Sequence, residues 1–308
     1  MFAESRLEVK PINILAKRLY KARYMYLFLT IPFSFVALFI FYPFIRGIYL
    51  SLLDWNGSQH SEFIGLGNYI ELFVEDVLFG KAVLNIVILS IAYVIQAVAV
   101  SFLLAWMIHH IKSQVSKYVF RFIVLLPSLI PGIVMLLLWK KFYSPDGLIN
   151  RLLGAIGLDQ IQHVWLADTS VVLLAIIFAG FPWVNGANTL IYLAGFLQIP
   201  KELYEAARMD GASMWRIFWR LEIPLLAGQT RILVVLSLIF ALQNYDNIFI
   251  LTQGGPMDAT VVPGIMLYKN AFLFGRYGYA SAIGVFIFVF ILLLTLISMH
   301  MSKEGQER

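Results

Sequence analysis

The chain of 308 residues has no cysteine. That excludes disulfides and thiolate metal sites and says little about compartment. Charge is scarce as well, at 13% of residues, against about 25% in an average soluble domain. There is no G-x-x-x-x-G-K-[ST] phosphate loop. The nearest approach, Thr252–Pro256 (TQGGP), has neighbouring glycines but no lysine and no following helix start, and reads as a turn outside the membrane. The chain is therefore not expected to hydrolyse ATP itself. No carboxylate pair, Ser/His/Asp set or metal-ligand spacing is evident. His109 and His110 are adjacent, and neighbouring residues do not share a helix face, so they read as ordinary interfacial residues. An intramembrane enzyme would need a constellation that is not there. The net charge of +5 does not indicate nucleic acid, because the basic residues sit at the ends of apolar segments.

What is present is apolar sequence. Hydrophobic residues make up 60% of the chain, and the mean hydropathy is +0.81. A bilayer span needs roughly 20 apolar residues. Six segments meet this: 25–45, 82–108, 122–139, 171–196, about 228–251 and 279–301. Five is the alternative if the third is too short or too kinked. Arg6, Lys10, Lys17, Arg18, Lys21 and Arg23 precede the first span, which places the N-terminus in the cytoplasm by the positive-inside rule. The acidic first loop (Asp54, Glu62, Glu71, Glu75, Asp76) falls outside. Lys112, Lys117 and Arg121 fall inside. The C-terminus with Lys303 and Arg308 returns to the cytoplasm. The first span lacks a small-residue cleavage site, so it reads as an anchor rather than a signal. Residues 1–24 form a basic cytoplasmic segment with a hint of a surface helix, 25–301 the membrane domain and 302–308 a tail.

Between the fourth and fifth spans lies a charged insert, about 198–226, holding Lys201, Glu202, Glu205, Arg208, Asp210, Arg216, Arg220 and Glu222. Pro200 suits a first helical turn and Glu202 the positive end of the helix dipole. Gly211 ends this helix, and Ser213 opens a second. In the second, Met214, Ile217, Phe218 and Leu221 form an apolar stripe, Arg216 and Arg220 lie opposite, and Trp215 and Trp219 flank it. Pro224 is expected to stop it. The plain reading is a polar loop. The sharper one is a docking element, with Ala206 and Ala207 permitting close approach and Glu205, Arg208 and Asp210 fixing orientation.

The residues 205–224, EAARMDGASMWRIFWRLEIP, resemble the EAA loop of ABC importer permeases: E-A-A, three residues, Gly, nine residues, I-x-L-P. Glu205, Ala206, Ala207, Gly211 and Pro224 match, with Leu221 and Ile223 exchanged. FIGLGNYIELF, LLPSLIPGIVMLLLWKKFYSPDGLINRLL and YDNIFILTQGGPMDATVVPGIMLYKNAF are similar to segments of the carbohydrate-uptake branch of that family, which includes the maltose permease subunits. The resemblance implies an all-α membrane protein with six transmembrane helices of the type I ABC importer permease fold and a cytoplasmic two-helix coupling loop. It implies a sugar or oligosaccharide substrate, a second paralogous permease, a homodimeric ABC ATPase that binds ATP and Mg, an extracytoplasmic solute-binding protein, and the bacterial cytoplasmic (inner) membrane. No cofactor or metal is expected in this chain. In the family the loop fits a cleft on the ATPase. Glu205, Ala206, Ala207, Arg208, Asp210, Gly211 and Pro224 are the expected coupling residues.

Polar residues inside spans usually face a bundle interior or a watery path. Asn85, Ser90, Gln96 and Ser101 in span two read as helix–helix glue. Asn185, Asn188, Asn244, Tyr245 and Asn247 are candidates for the substrate path, since hydroxyls need paired donors and acceptors and a ring can cover the apolar sugar face. The main site can equally lie in the partner permease. Asp246 matches an aspartate frequent in the family and reads as structural, and Trp139, Trp183 and Tyr192 as packing or interfacial-belt residues. Pro127 and Pro131 should bend span three, and Gly180, Pro182 and Gly186 make span four bendable. Rival readings are an ABC importer for another solute, such as glycerol phosphate, and a secondary transporter. The EAA pattern and the scarcity of buried ionisable residues argue against the latter.

Overall fold

The computed structural model describes residues 21–304 apart from residue 59. Most of the basic segment 1–24, and the tail beyond residue 304, lie outside the described residues. Helices dominate: α1 (Arg23–Leu50), α2 (Val77–His110), α3 (Gln114–Leu129), α4 (Gly132–Phe142), α5 (Leu148–Ala155), α6 (Val172–Phe178), α7 (Gly186–Gln198), α8 (Lys201–Met209), α9 (Met214–Leu225), α10 (Ala227–Gln243), α11 (Asp246–Leu251), α12 (Pro263–Tyr268) and α13 (Tyr277–Glu304). The strands β1 (Leu53–Trp55) and β2 (Ser61–Phe63) form one antiparallel hairpin.

Of the six expected spans, three are single helices long and apolar enough to cross a bilayer among the described residues: α1, α2 and the 277–299 part of α13. The third expected span is α3 plus α4, bent by 84° at the break before Gly132. Pro127 and Pro131 flank that break, as their missing amides require. The fourth is broken between α6 and α7, and the fifth between α10 and α11, where residues 244–245 leave the helix.

Helix α2 is the spine. Its 34 residues rise about 51 Å at 1.5 Å each, and α7, α10 and α12 all pack on it. Its start is capped by Asp76, whose Oδ1 accepts the Leu78 amide at 2.9 Å. Two separate apolar cores sit along it. One gathers Phe79, Ala82 and Ile86 with Val172, Ile176, Leu242, Ile248, Val262, Ile265 and Ile283. The other gathers Ala105 and Ile108 with Val124, Tyr192, Leu193, Phe196, Leu226 and Leu233. Helix α1 buries none of its most apolar stretch, so its aromatic surface is left for lipid or another chain.

The end of the bundle near Asp76 is tied by polar contacts. Asn68 is buried and its Nδ2 donates to the carbonyls of Ser51 and Leu53, each at 2.9 Å. Tyr279 donates to Asp76 Oδ2 at 2.6 Å, and Arg276 pairs with Glu71. Gly278 lies so close to the Leu53 carbonyl that a Cβ would overlap it. This accounts for the stretch FIGLGNYIELF: Gly65 takes φ +57°, Asn68 holds two carbonyls, and Tyr69 shares a hydrogen bond with Ser51 Oγ at 2.7 Å. Asn68→Ala strands two buried carbonyls and is expected to cost about 1–3 kcal/mol. Thermal unfolding of the detergent-purified chain should show a clear drop in midpoint, absent from the exposed control Gln198→Ala.

Candidate functional site

Two places in the fold concentrate polar groups without closing them into a core. The first lies midway along α2, between the two apolar cores. Leu89, Ala92, Tyr93 and Gln96 of α2 face the break between α6 and α7 and the break after α10, around a cleft of about 230 Å³. Inside a bilayer, non-helical backbone is tolerated only where protein buries it or it lines a watery cavity. Here both devices operate. Gln96 Nε2 donates to the Ile177 carbonyl at 2.8 Å, and Trp183 Nε1 donates to the same oxygen at 3.2 Å. Asn185 restarts the chain as the cap of α7, its Oδ1 accepting the Asn188 amide at 3.0 Å.

Of the five residues expected along a substrate path, the cleft brings together Asn185, Asn244 and Asn247. Asn244 Oδ1 is buried with no hydrogen-bond partner among the described residues. Asn188 does not line the cleft; its amide serves the cap of α7. Tyr245 does not line the cleft but lines two neighbouring recesses with Tyr268, both of which Asn244 also borders. Trp183, expected as a packing or belt residue, lines the cleft at φ +55°. Tyr93 was not singled out at all, although it lies one turn from Gln96, and that i, i+3 spacing was the available signal. The expectation of helix–helix glue in span two is met only in part: Asn85 Nδ2 donates to the loop carbonyls of Ala259 and Val261 at 3.0 and 2.8 Å, Gln96 lines the cleft, and Ser90 Oγ is buried with no partner among the described residues.

The second place is the insert. It is two helices, α8 and α9, joined by a turn in which Gly211 takes φ +70°, a conformation that suits glycine. Gly211 and Ala212 donate back to the Arg208 and Ala207 carbonyls at 3.0 and 2.9 Å, which closes the end of α8. Ser213 Oγ accepts the Arg216 amide at 3.4 Å and caps α9. Pro200 immediately precedes α8 rather than occupying its first turn. Pro224 does not stop α9: the helix runs through it to Leu225, and the 64° bend into α10 falls at Leu226. A wider, π-type turn over Phe218–Glu222 precedes the proline, and such turns relieve the ladder that a proline would otherwise break.

Glu205, Ala206, Arg208, Asp210, Gly211 and Pro224 are exposed, and Ala207 is half-buried. Leu203 and Met209 are exposed beside them. The opposite side of the insert is anchored. Ile217 and Phe218 are buried, with Phe218 edge-on to Phe102 and Trp106 of α2. The expected apolar stripe is thus real at its centre, but Met214, at its end, is exposed. The residue that sequence reasoning passed over is Glu222. It was counted as one more loop charge, yet it is 1% exposed. Its Oε2 accepts from Trp106 Nε1 at 2.8 Å and its Oε1 from Tyr204 OH at 3.1 Å. His110 Nε2 stands 3.4 Å from Oε1. Burial, then the neighbouring Glu222 carboxylate, pushes the Tyr204 hydroxyl well above the ordinary tyrosine value, so Tyr204 stays a donor at any physiological pH.

This arrangement, a mid-membrane polar cleft beside a helical insert exposed on one face, has counterparts of known kind. Residues 97–303 match the family described as binding-protein-dependent transport system inner membrane component. The chain is 37% identical over 284 residues to the probable ABC transporter permease protein YurN of Bacillus subtilis, covering 92% of this chain and 97% of that one. It is 31% identical over 262 residues to the lactose transport system permease protein LacF of Rhizobium radiobacter, covering 84% and 87%. Among solved structures it is similar to a chain of a bacterial alginate ABC transporter in complex with an alginate pentasaccharide-bound periplasmic protein. There the TM-score is 0.82 and the identity 26%, over 94% of this chain and 96% of that one. The family match spans two thirds of the chain, including the insert and both broken spans, and the chain therefore belongs to the binding-protein-dependent transport system inner membrane components, the permease subunits of ABC importers.

Proposed function

We propose that this chain forms one half of the translocation path of an ATP-driven importer for a sugar or oligosaccharide. A second, paralogous permease supplies the other half, a homodimeric ATPase binds the ATP and Mg, and an extracytoplasmic solute-binding protein delivers the substrate. The observation that carries the reading is the two-faced insert: its EAA residues point outward while its apolar side is fixed to the spine helix α2. A surface so built can receive a push and pass it inward. On this reading the insert and both termini lie in the cytoplasm, and the chain sits in the bacterial inner membrane.

A sugar is favoured by the lining of the cleft as well as by the relative that carries lactose in its name. Asn185, Asn244, Asn247, Tyr93, Gln96 and Trp183 offer neutral donors, acceptors and aromatic faces, and no charged side chain lines the cleft. Uncharged hydroxyls match such a site. A glycerol phosphate or other anion would be expected to meet a lysine or arginine there. The pairing of Asn185 with Asn244 and Asn247 across two helix breaks also fits the pattern in which discontinuous helices frame a substrate near the midplane.

Three outcomes follow. Glu205→Lys should leave membrane insertion intact and abolish uptake, because it reverses charge on the face offered to the ATPase; normal substrate-stimulated ATP hydrolysis in the reconstituted complex would contradict the docking role. Gly211→Pro should do the same for a different reason: proline holds φ near −65°, and the bond from the Gly211 amide is lost. Uptake at wild-type rate would show that the turn is not part of the contact. Asn244→Ala should raise the substrate concentration needed for half-maximal uptake, by roughly 10-fold for one lost hydrogen bond of about 1.5 kcal/mol, with the complex still assembling. Unchanged uptake kinetics would assign Asn244 to packing alone.

A further inference from the structure

The coupling face is exposed, but displacement there reaches the membrane only through what ties the insert to a span. Apart from the chain's own continuity into α7 and α10, the tie combines the apolar packing of Phe218 on Phe102 and Trp106 with one buried polar side chain. Glu222 is fully buried at the end of the second apolar core. Its two oxygens accept from two different elements: Trp106 in the last turns of α2, at 2.8 Å, and Tyr204 in α8, at 3.1 Å. Glu222 itself belongs to α9. A single carboxylate thus holds both helices of the insert and the spine helix. Around it, Phe218 packs on Trp106, and His109 stacks on Phe196 and Tyr204.

His110 completes the joint. Its Nδ1 stands 3.0 Å from the Trp106 carbonyl, which can only accept, so Nδ1 carries a hydrogen. Its other nitrogen faces Glu222 at 3.4 Å, so the buried carboxylate has a third polar neighbour besides Trp106 and Tyr204. The cationic groups nearby are Lys117 of α3, beside His109, and Arg208 of α8, beside Tyr204.

We propose that Glu222 is a positioning residue for transport, the joint through which movement of the EAA insert is transmitted to α2 and so to the cleft midway along it. The proposal rests on the reading of the insert as the ATPase contact and goes beyond it in naming how the stroke enters the membrane. Gly211 and Pro224 do not serve this purpose. Gly211 shapes the exposed turn, and Pro224 is exposed on the outer side of α9. Among the described residues, the buried carboxylate joins α2, α8 and α9 by hydrogen bonds.

The test is the amount of substrate transported per ATP hydrolysed by the complete transporter in proteoliposomes, with its ATPase and binding protein. Glu222→Leu keeps the side-chain volume but leaves the Trp106 and Tyr204 donors without their acceptor, which weakens the joint. The assembled variant should still hydrolyse ATP, while substrate per ATP falls 10-fold or more. Glu222→Gln, which keeps an acceptor for Trp106 and a partner for Tyr204, should restore the ratio to within about threefold, since only the charge of the bonds is lost. Wild-type stoichiometry in Glu222→Leu would overturn the proposal, because packing alone would then suffice. If Glu222→Leu fails to assemble, the double variant Trp106→Phe, Tyr204→Phe removes the same bonds from the other side; unchanged stoichiometry there overturns the proposal equally. If the ATPase does not co-purify with the unaltered chain, it is the reading of the insert that falls, not the joint.

Discussion

Everything in this fold follows from one constraint: inside a bilayer, a backbone amide or carbonyl that leaves its helix has no water to turn to. The protein breaks its helices at 179–185 and at 244–245, and in each case a side chain or a cleft is in place to receive what was freed. Gln96 and Trp183 converge on the Ile177 carbonyl, and Asn185 caps the helix that resumes. Such groups, buried without partners, would cost several kcal/mol each. Breaks at these positions therefore imply a polar space, and the cleft between them is that space.

The same constraint explains the division of the core. An apolar cluster at each end of α2 fixes the bundle, while the stretch between them, around Tyr93 and Gln96, is left polar and loosely filled. Two rigid ends and an adjustable middle suit a path that opens alternately to either side. The end that carries the insert is the more elaborate, because it joins a membrane span to a segment outside the membrane. Aromatic packing around Phe218, Trp106 and Phe102 gives contact area, and the buried Glu222 gives direction, since hydrogen bonds fix angles where apolar contacts do not.

Much of this was written in the chain. Long charge-free runs identify α1, α2 and α13 because a helix is the one continuous structure that satisfies its own backbone in lipid. The EAA pattern identifies the insert because a turn at φ +70° wants glycine and an exposed face tolerates Glu205, Arg208 and Asp210. The prolines at 127 and 131 announce the bend between α3 and α4, since neither has an amide to donate. Helix ends were legible less well: Pro224 looks like a stop and is passed over, because the wider turn before it absorbs the clash that a regular helix would suffer.

What only the tertiary structure decided is which polar residues meet. Asn185 and Asn244 are 59 positions apart, and their shared cleft comes from α7 and α10 both packing on α2, which no local periodicity encodes. Asn188 and Tyr245 lie close in sequence to Asn185 and Asn244, yet the amide of the first serves a cap and the second borders the neighbouring recesses. Glu222 is the clearest case. In sequence it is one acid among eight charges, and local pattern places it on a solvated loop. Its burial arises because Trp106, His110 and Tyr204, distant in the chain, supply the donors that make burying a carboxylate affordable. The sequence by itself determined the long spans, the bend at Pro127 and Pro131 and the exposed face; long-range packing decided the break at 244–245 and which side chains the breaks bring together.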